Sequence, residues 1–437
     1  MDYGLLTLII FGSLVFFLML GVPVAFALGG ISLVIGYFFW NGESSFVGFL
    51  LGSYGKVLEF TLTALPMYIL MAGILRYSDL ADDLYEAIYR WLGGVKGGLA
   101  AGTTFIAAMF GAMVGIATVA TATLGLTARP SMIKRGYDPK LANGVIMAGG
   151  ALGILIPPSI VMIIYAMEAR VSAGKLFFAG FIPGVIAAIV FMAYAIGISY
   201  LNPNMGPALP REERYSFREK LASLRGVILP LLVIVIVLTS IFLGIATPTE
   251  AAAFGVVGSL ACAAIKRKLT WDNVKKMIVM SVKLNGMVFW LMIGAVAYAR
   301  IISATGVGDW VAGLIGGLEV NRWVILIGMQ LIFFVLGFFI DPTAILLMTA
   351  PVFIPMVYDL GFDPIWFGVL FIVNGCMGYL TPPFGLSLFV LKGVSPDIKM
   401  KELYASVTPF VLLYMFVLVL LMIFPEIVTW LPDKVMK

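Results

Sequence analysis

Long apolar runs separated by short polar segments make up most of the chain. Residues 4–20 and 24–40 are two such runs, separated at Pro23, and each is close to the ~20 residues that a helix needs to cross a bilayer. Further runs cover 57–75 and 176–201. This pattern predicts transmembrane helices with short connections.

Three segments of the first half depart from that pattern. In 79–92, Leu84, Ile88 and Trp91 recur at helical spacing and acidic residues face away from them, which predicts a helix at the membrane surface. The apolar segment 97–128 is broken by glycines, and it is too long for one crossing and too short for two. We interpret 97–128 as a re-entrant helical hairpin.

The third segment, 141–167, is long enough to cross the membrane but contains Pro157-Pro158. A proline pair removes two backbone donors and clashes with the preceding turn, so the helix must open there. Open backbone at membrane depth occurs only where protein or a water-filled cavity satisfies it, so we predict a discontinuous transmembrane helix.

The whole unit occurs twice. Pro23 and Pro248 are 225 residues apart, and so are Gly136-Tyr137-Asp138-Pro139 and Gly361-Phe362-Asp363-Pro364. The second proline pair, Pro382-Pro383, follows the first at the same distance. We therefore divide the chain into a first repeat (1–201), a linker (202–226) and a second repeat (227–437). The second repeat is predicted to contain spans at 227–244, 249–265, 280–300 and 404–430, an amphipathic piece at 310–318, a hairpin at 323–353 and a broken span at 365–391.

The two repeats are predicted to lie upside down relative to each other. Each has five full crossings, an odd number. The loop 129–140 is basic, whereas its equivalent 354–365 holds no Lys or Arg and two aspartates. Since basic loops stay in the cytoplasm, the charges give the same inversion and place both termini in the periplasm. The predicted fold class is an all-α polytopic membrane protein of two inverted-topology repeats, as in secondary transporters.

Composition excludes several other classes of protein. The chain is 62% hydrophobic and 12% charged, against about a quarter charged in soluble domains. It has no histidine, and its two cysteines lack the spacing of a metal site or a disulfide. We find no intramembrane aspartate pair and no serine with a base, so an enzyme is not expected. The net charge of +5 lies in loops, where it indicates orientation and not nucleic-acid binding.

The two breaks and the two hairpin tips are the candidate binding site. Opened helices present oxygen atoms that suit a hard cation such as Na⁺. The candidates in the first half are Gly115, Thr118, Gly153, Pro157 and Ser159, and those in the second half are Asp341, Thr343, Asn374, Gly378, Thr381 and Pro382. The alternative is that these glycines and prolines only shape helices for packing. Two breaks in register, each facing a hairpin, favour binding.

Three ionisable side chains have two interpretations each. Thr247 and Glu250 match a capping box at a helix start, which we favour, and Glu250 becomes a functional candidate only if it lies deep in the membrane. Asp341 either caps a half-helix or contacts an ion. Arg300 snorkels at the outer face or attracts an anion. Ionisable groups are otherwise scarce within the spans, which favours sodium over protons.

Several motifs together resemble the large permease subunit of tripartite ATP-independent periplasmic (TRAP) transporters. They are Met132-Ile133-Lys134-Arg135-Gly136-Tyr137-Asp138-Pro139, Gly153-Ile154-Leu155-Ile156-Pro157-Pro158-Ser159, Thr247-Pro248-Thr249-Glu250-Ala251-Ala252, Asp341-Pro342-Thr343 and Leu380-Thr381-Pro382-Pro383-Phe384-Gly385. The resemblance covers nearly the whole chain. Many relatives carry serines at the first hairpin tip, whereas this chain has Gly111 to Thr118, so ion ligation there rests on backbone oxygens and Thr118.

This resemblance implies an elevator mechanism in the bacterial inner membrane, with a transport domain of both hairpins and both broken spans. It also implies sodium coupling with no other cofactor, a periplasmic substrate-binding protein that delivers an organic acid anion, and a small four-helix membrane subunit on a separate chain. The substrate class includes dicarboxylates, keto or hydroxy acids and sugar acids. The alternative is a self-sufficient sodium/anion symporter that needs no binding protein.

Overall fold

A computed structural model of the chain describes residues 2–78, 80–210, 214–317, 320–383 and 385–435, and every regular element in these ranges is helical. Leu318, at the end of the predicted amphipathic piece, and Phe384, in the last motif, lie outside the described residues. The all-α class is confirmed.

The first half contains the helices α1 Tyr3–Met19, α2 Val24–Ile35, α3 Ser44–Val57, α4 Ala64–Arg76, α5 Leu80–Leu92, α6 Gly98–Val114, α7 Ala117–Lys134, α8 Pro139–Ala151, α9 Ile160–Glu168 and α10 Ala173–Leu201. A π-helical turn, Gly36–Asn41, extends α2, and 3₁₀ turns lie at Phe60–Thr63 and Leu152–Ile154. Helix α11, Phe217–Ser223, lies in the predicted linker.

The second half repeats this order with α12 Arg225–Phe242, α13 Pro248–Ile265, α14 Trp271–Ala304, α15 Val307–Gly316, α16 Arg322–Gly337, α17 Pro342–Asp359, α18 Pro364–Leu380, α19 Leu386–Val394, α20 Met400–Ile423 and α21 Glu426–Val435. The hairpins are α6–α7 and α16–α17, and the broken spans are α8–α9 and α18–α19. Most boundaries lie within a few residues of those expected from the sequence.

Contacts between helices recur with the two halves exchanged. Helix α2 packs on α14 while α13 packs on α4, and α8 packs on α20 while α18 packs on α10. Helix α19 packs on α7, and α17 packs on α9. This reciprocal packing is the relationship expected of two inverted-topology repeats.

The repeated Gly-aromatic-Asp-Pro motif forms the same turn in both halves. Gly136 and Gly361 end the hairpin helices with φ of 77° and 69°, a conformation that favours glycine. Asp138 accepts from the Lys140 N–H at 2.8 Å, and Asp363 accepts from the Ile365 N–H at 2.7 Å, each with proline at the first helical position. The motif therefore positions each broken span after its hairpin.

The third span of the first repeat differs from the prediction. In place of one helix over 57–75, α3 and α4 form a pair bent by 61° at residues 58–59, and the 3₁₀ turn Phe60–Thr63 leads into α4. Residues 48, 52 and 55 of α3 are glycines, which weaken the apolar signal that identifies a span. Its counterpart α14 is one helix of 34 residues, longer than the expected 280–300. The prediction began too late because the first turns of α14 are rich in lysine and so lack the apolar signal of a span.

Two further departures concern the ends of elements. The linker, for which no helix was predicted, contains α11, which starts with a capping box between Ser216 and Glu219. The last span, expected over 404–430, ends at Ile423, and α21 follows as a separate helix after Pro425. Proline removes a backbone donor and so favours a helix boundary there.

The described residues contain six helices that are long and apolar enough to cross a membrane, or as many as eight if each bent pair counts as one span. The first broken span lies inside the molecule, since nearly all residues of α8 and α9 are buried. In the second, α18 is buried, whereas Pro383, Leu386 and Phe389 are exposed. The first opening is therefore enclosed by protein, as open backbone at membrane depth requires, and the second is partly open to the surface.

Candidate functional site

Both broken spans open at their proline pairs. Helix α8 ends at Ala151, a 3₁₀ turn follows, and α9 begins at Ile160, whereas α18 ends at Leu380 and α19 begins at Leu386. The Pro157–Pro158 and Pro382–Pro383 bonds are both cis. The openings predicted from the prolines are thus present at the same place in each half.

Each opening touches its own hairpin through glycine backbone. A Cβ added to Gly111 in α6 would lie 2.5 Å from the Cα of Gly153, and one added to Gly337 in α16 would lie 2.9 Å from the Cα of Gly378. Real Cβ atoms do not approach Cα atoms so closely, so these positions require glycine. Packing of the hairpin on the break therefore accounts for Gly153 and Gly378.

The hydroxyl groups at the breaks stabilise the opened backbone. Ser159 donates to the Ile154 carbonyl at 2.7 Å and accepts from the Met162 N–H at 3.5 Å as the N-cap of α9. Thr381, at the end of α18, donates to the Met377 carbonyl at 2.7 Å. Each hydroxyl proton is used locally, but a hydroxyl oxygen keeps lone pairs that can bind a cation.

Asp341 has two partners at the second hairpin tip. One carboxylate oxygen accepts from the Thr343 N–H at 2.8 Å and caps α17, and the other accepts from the Tyr379 hydroxyl at 2.5 Å. The capping interpretation is confirmed, and the same carboxylate also joins the hairpin tip to the broken span. Tyr379 was not predicted as a site residue, since the sequence shows only that its hydroxyl group lies close to the break.

The two hairpin tips and the two breaks meet around one small cavity of about 100 Å³. Its lining residues are Ile69, Gly115, Ile116, Thr118, Ile154, Ile160, Val161, Leu284, Met287, Val288, Asp341, Thr343, Tyr379 and Leu386. At about 30 Å³ per water, the cavity has room for about three water-sized species. Four of the predicted residues, Gly115, Thr118, Asp341 and Thr343, line it directly.

The other predicted residues at the breaks do not line this cavity. Gly153, Pro157, Ser159, Gly378, Thr381 and Pro382 are not among its lining residues. Gly115 has φ of 65°, and a Cβ there would lie 2.9 Å from the Pro158 carbonyl oxygen, so the first tip packs directly on the first break. These residues set the backbone on which the cavity is built.

Asn374 lies away from the cavity. Its amide donates to the Gln330 backbone carbonyl at 2.7 Å and to the Gln330 side-chain carbonyl at 2.9 Å, which joins α18 to α16. Asn374 Oδ1 and Gln330 Nε2 are buried without a hydrogen-bond partner among the described residues. The structure thus places Asn374 at the packing interface between α16 and α18, and Gln330 was missed because it sits within an apolar run.

Thr247 and Glu250 form the predicted capping box. The Glu250 carboxylate accepts from the Thr247 N–H at 2.7 Å and hydroxyl at 2.8 Å, and the Glu250 N–H donates back at 3.3 Å. Glu250 is exposed and does not line the central cavity. The helix-start interpretation of both residues is confirmed.

A basic vestibule of about 530 Å³ lies beside the central cavity. Its charged lining residues are Arg76, Asp272, Lys275, Lys276 and Lys283. Leu284 lines both this vestibule and the central cavity, and Val119 follows Thr118 in the sequence. Four basic residues face one aspartate, and a cavity with such an excess of one sign of charge concentrates counter-ions, so the vestibule favours anions.

The oxygen donors around the central cavity fit sodium. A carboxylate, two threonine hydroxyls and the carbonyls of opened turns are hard ligands, which alkali and alkaline-earth cations prefer. Among the described residues, no group of three or more His, Cys, Asp or Glu side chains could hold a metal ion. The donor set thus differs from that of a transition-metal site.

Comparisons with known proteins complete the description of the site. The family described as "Tripartite ATP-independent periplasmic transporter, DctM component" matches residues 11–427. The C4-dicarboxylate TRAP transporter large permease protein of Pseudomonas aeruginosa is 32% identical over 86% of this chain and 85% of its own. The isethionate TRAP transporter permease protein DctMQ of Oleidesulfovibrio alaskensis is 29% identical over 96% of this chain and 65% of its own. The structure of the Alcanivorax borkumensis YdaH transporter matches with a TM-score of 0.64 and 16% identity, over 95% of this chain and 98% of its own, a likeness of fold alone.

Proposed function

Since the chain belongs to the DctM family of TRAP transporter large permeases, we propose that it takes up an organic acid anion together with sodium across the bacterial inner membrane. The family consists of membrane transporters and not of enzymes. The observation that carries the proposal is the convergence of both hairpin tips and both breaks on one cavity.

Sodium binds, in this proposal, at the oxygen atoms around the cavity. Thr118 and the carbonyls near Gly115 supply ligands from the first tip, and Asp341 and Thr343 supply them from the second. Ser159, Thr381 and the carbonyls at the breaks, around Gly153, Pro157, Gly378 and Pro382, complete the ion sites from behind. Asn374 is not part of them, because it binds Gln330 at another interface.

An elevator movement accounts for access to this site from both sides. The hairpins and broken spans form the moving unit. It contacts α14 through α17 and α4 through α9, and it also packs on α5, α10 and α20. The basic vestibule, which adjoins the cavity at Leu284, serves as the exit to the cytoplasm. We assign it to the cytoplasmic side because the lysine-rich start of α14 lies there by the positive-inside rule. The same rule places both termini in the periplasm.

Two partner proteins complete the proposed system. The family is tripartite, and its large permeases work with a small membrane subunit and a substrate-binding protein. In the isethionate relative, about a third of the chain lies beyond the part that matches here. The substrate is a dicarboxylate or a related anion, since the two relatives named above carry a C4-dicarboxylate and isethionate.

Uptake into proteoliposomes tests the proposal. Vesicles with this chain and its small subunit receive a binding protein preloaded with labelled organic acid, with or without an inward sodium gradient. Uptake that requires both sodium and the loaded binding protein supports the tripartite symporter. Equal uptake of free substrate without the binding protein contradicts it and favours the self-sufficient carrier.

A further inference from the structure

A second polar pocket lies on the opposite side of the molecule from the basic vestibule. It has a volume of about 370 Å³ and is formed by α3, α9, α14 and Leu347 of α17. Its charged lining residues are Lys56, Glu168, Arg170 and Arg300. It lies between helices of the proposed moving unit, α9 and α17, and helices of the proposed static part, α3 and α14. We call it the outer pocket.

Arg300 is held in the outer pocket by the bare backbone of α3. A Cβ added to Gly52 would lie 2.3 Å from Arg300 Nε, and one added to Gly48 would lie 3.5 Å from a terminal nitrogen. The guanidinium group therefore lies on a surface that two glycines one helical turn apart leave open. Arg300 as a whole is exposed, so its guanidinium group lies on the surface of α3 and stays accessible to an anion.

Positive charge in the outer pocket exceeds its negative charge. Lys56 pairs with Glu168 at 3.2 Å and with Glu59 at 3.6 Å. For Arg170 and Arg300, the described part of the chain offers no salt bridge within 4.0 Å. Arg170 still interacts electrostatically with the Glu168 carboxylate, so Arg300 is the guanidinium group of this pocket that is left without a carboxylate among the described residues. Guanidinium groups bind carboxylates with charge-assisted, often paired hydrogen bonds.

The backbone of Arg170 adopts a conformation that usually belongs to glycine. It follows the end of α9 with φ of 53°, and glycine is the residue favoured at this position after a helix. A non-glycine residue held in this region is strained, and such residues concentrate at functional sites. Arg267, which follows α13, has the same conformation with φ of 55°, so this conformation shows a backbone cost at Arg170 and does not by itself indicate a binding site.

We propose that the outer pocket is an anion-binding site that takes the carboxylate or sulfonate group of the substrate before it reaches the central cavity. The inference rests on the proposed function, since it assumes that an organic anion enters from this side. Arg170 and Arg300 bind the anion, and the bridge from Lys56 to Glu168 joins α3 to α9 across the two parts. Arg76 lines the basic vestibule and Arg300 lines the outer pocket, at corresponding ends of α4 and α14. One arginine therefore lies at each end of the proposed transport path.

Chemical modification tests the site without requiring transport. The purified permease in phosphatidylcholine nanodiscs is treated with phenylglyoxal, which modifies arginine, at constant ionic strength. Peptide mass spectrometry follows Arg170 and Arg300, with Arg267 in a distant loop as the internal control. Protection of Arg300 by succinate, isethionate or gluconate, but not by chloride, supports the site. Equal modification in all these salts overturns it, and so does protection that needs phosphatidylglycerol and no organic anion, because the pocket then holds a lipid.

Transport gives a second readout with matched variants. Arg300→Gln should raise the apparent KM for the loaded binding protein about ten-fold, as expected for loss of a charge-assisted contact. Gly52→Ala should reproduce the defect, since its Cβ displaces the guanidinium group, while Arg300→Lys retains part of the function and Arg267→Gln changes nothing. If the wild-type protein transports with sodium and Arg300→Gln has the same KM as wild type, the proposed anion site in the outer pocket is overturned and the proposed function stands. If wild-type protein does not transport, the proposed function fails by itself.

Discussion

Arg129, near the end of the first hairpin, binds Asp397 in the loop after the second broken span at 2.9 Å. Its Nε also donates to Asn143 at 3.0 Å, and Asn143 in turn donates to Glu402 of α20 at 3.0 Å. Asn143 is buried and the Arg129 side chain is 12% exposed, whereas the Asp397 side chain is 67% exposed. Arg129 thus joins the first hairpin directly to the loop between α19 and α20 and, through Asn143, to the start of α20.

Because Arg129 is the centre of this network, Arg129→Gln should destabilise the protein by about 1–3 kcal/mol, since it leaves polar partners unsatisfied. Asp397→Asn should cost less than about 1 kcal/mol because that pair is exposed to solvent. Thermal unfolding in detergent measures both. Equal costs for the two variants would contradict the network.

The same contact sets a pH dependence. The Arg129 guanidinium holds the pKa of the Asp397 carboxyl below its usual value. A carboxyl with a lowered pKa contributes stability above its unfolded pKa, and this contribution is lost as pH falls through the folded pKa. The stability difference between wild type and Asp397→Asn should therefore shrink below about pH 4, near the ordinary pKa of aspartate. A difference that stays constant between pH 7 and the acid range would contradict this assignment.

Alanine in place of a glycine at either hairpin–break contact should destabilise the protein. In Gly337→Ala the new Cβ meets the Gly378 backbone, and overpacking of this kind costs about 1–3 kcal/mol. Gly328→Ala is the control in the same helix, because no atom lies within 4 Å of its Cβ, and alanine favours a helix by up to about 1 kcal/mol. Melting temperatures should fall for the first variant and hold or rise for the second.

Removal of the cavity carboxylate should weaken sodium dependence. Asp341→Asn should raise the sodium concentration for half-maximal uptake by about ten-fold or more, because a charged ligand is lost from a buried site. Tyr379→Phe should have a smaller effect, since Asp341 keeps its bond from Thr343. Glu250→Gln serves as a control carboxylate outside the cavity, with unchanged sodium dependence and a weakened capping box at the start of α13. Equal sodium curves for Asp341→Asn and wild type would remove Asp341 from the ion site.

Charge reversal in the basic vestibule should slow exchange in a salt-dependent manner. Lys283→Glu should reduce substrate exchange from the cytoplasmic side several-fold at low ionic strength, and the difference should largely vanish at about 1 M salt, where the Debye length is about 3 Å. Asp272→Asn removes the negative charge that pairs with Lys276 at 2.5 Å, so it should increase substrate exchange from the cytoplasmic side. A defect that is independent of salt would indicate a structural role for Lys283.

Arg170→Gly should make the protein more stable while it weakens anion binding. Glycine removes the left-handed strain, and relief of that strain contributes about 1 kcal/mol. Thermal unfolding measures the gain, and arginine modification at position 300 in the presence of succinate measures the loss. A variant with lower stability than wild type would show that Arg170 is a packing residue.

The sequence was informative where local chemistry decides the structure. Proline pairs open a helix wherever they occur, and the Gly-aromatic-Asp-Pro motif contains the end of one helix and the start of the next, so both could be recognised without tertiary contacts. The Thr247–Glu250 capping box is local in the same way. These features placed both hairpins and both openings.

Features that depend on distant neighbours could not be predicted. Nothing in the sequence shows that Gly48 and Gly52 receive Arg300, because these residues lie about 250 positions apart. Tyr379 and Gln330 each sit in an apolar helix, and only packing shows that their polar groups meet Asp341 and Asn374. The glycines of α3 lower the apolar content of this segment, so the sequence did not indicate a helix there. In the structure, Gly48 and Gly52 leave space for the Arg300 side chain.

The long helix α14 and the bent pair α3–α4 occupy equivalent places but are built differently. At 1.5 Å per residue, the 34 residues of α14 extend about 51 Å, well beyond the ~30 Å hydrocarbon core. Helix α14 is thus long enough to reach water at both faces, whereas its counterpart is divided after Val57. The pseudo-two-fold relationship of the repeats is broken at this place. In the proposed transport path, the rates of import and export are therefore not required by symmetry to be equal.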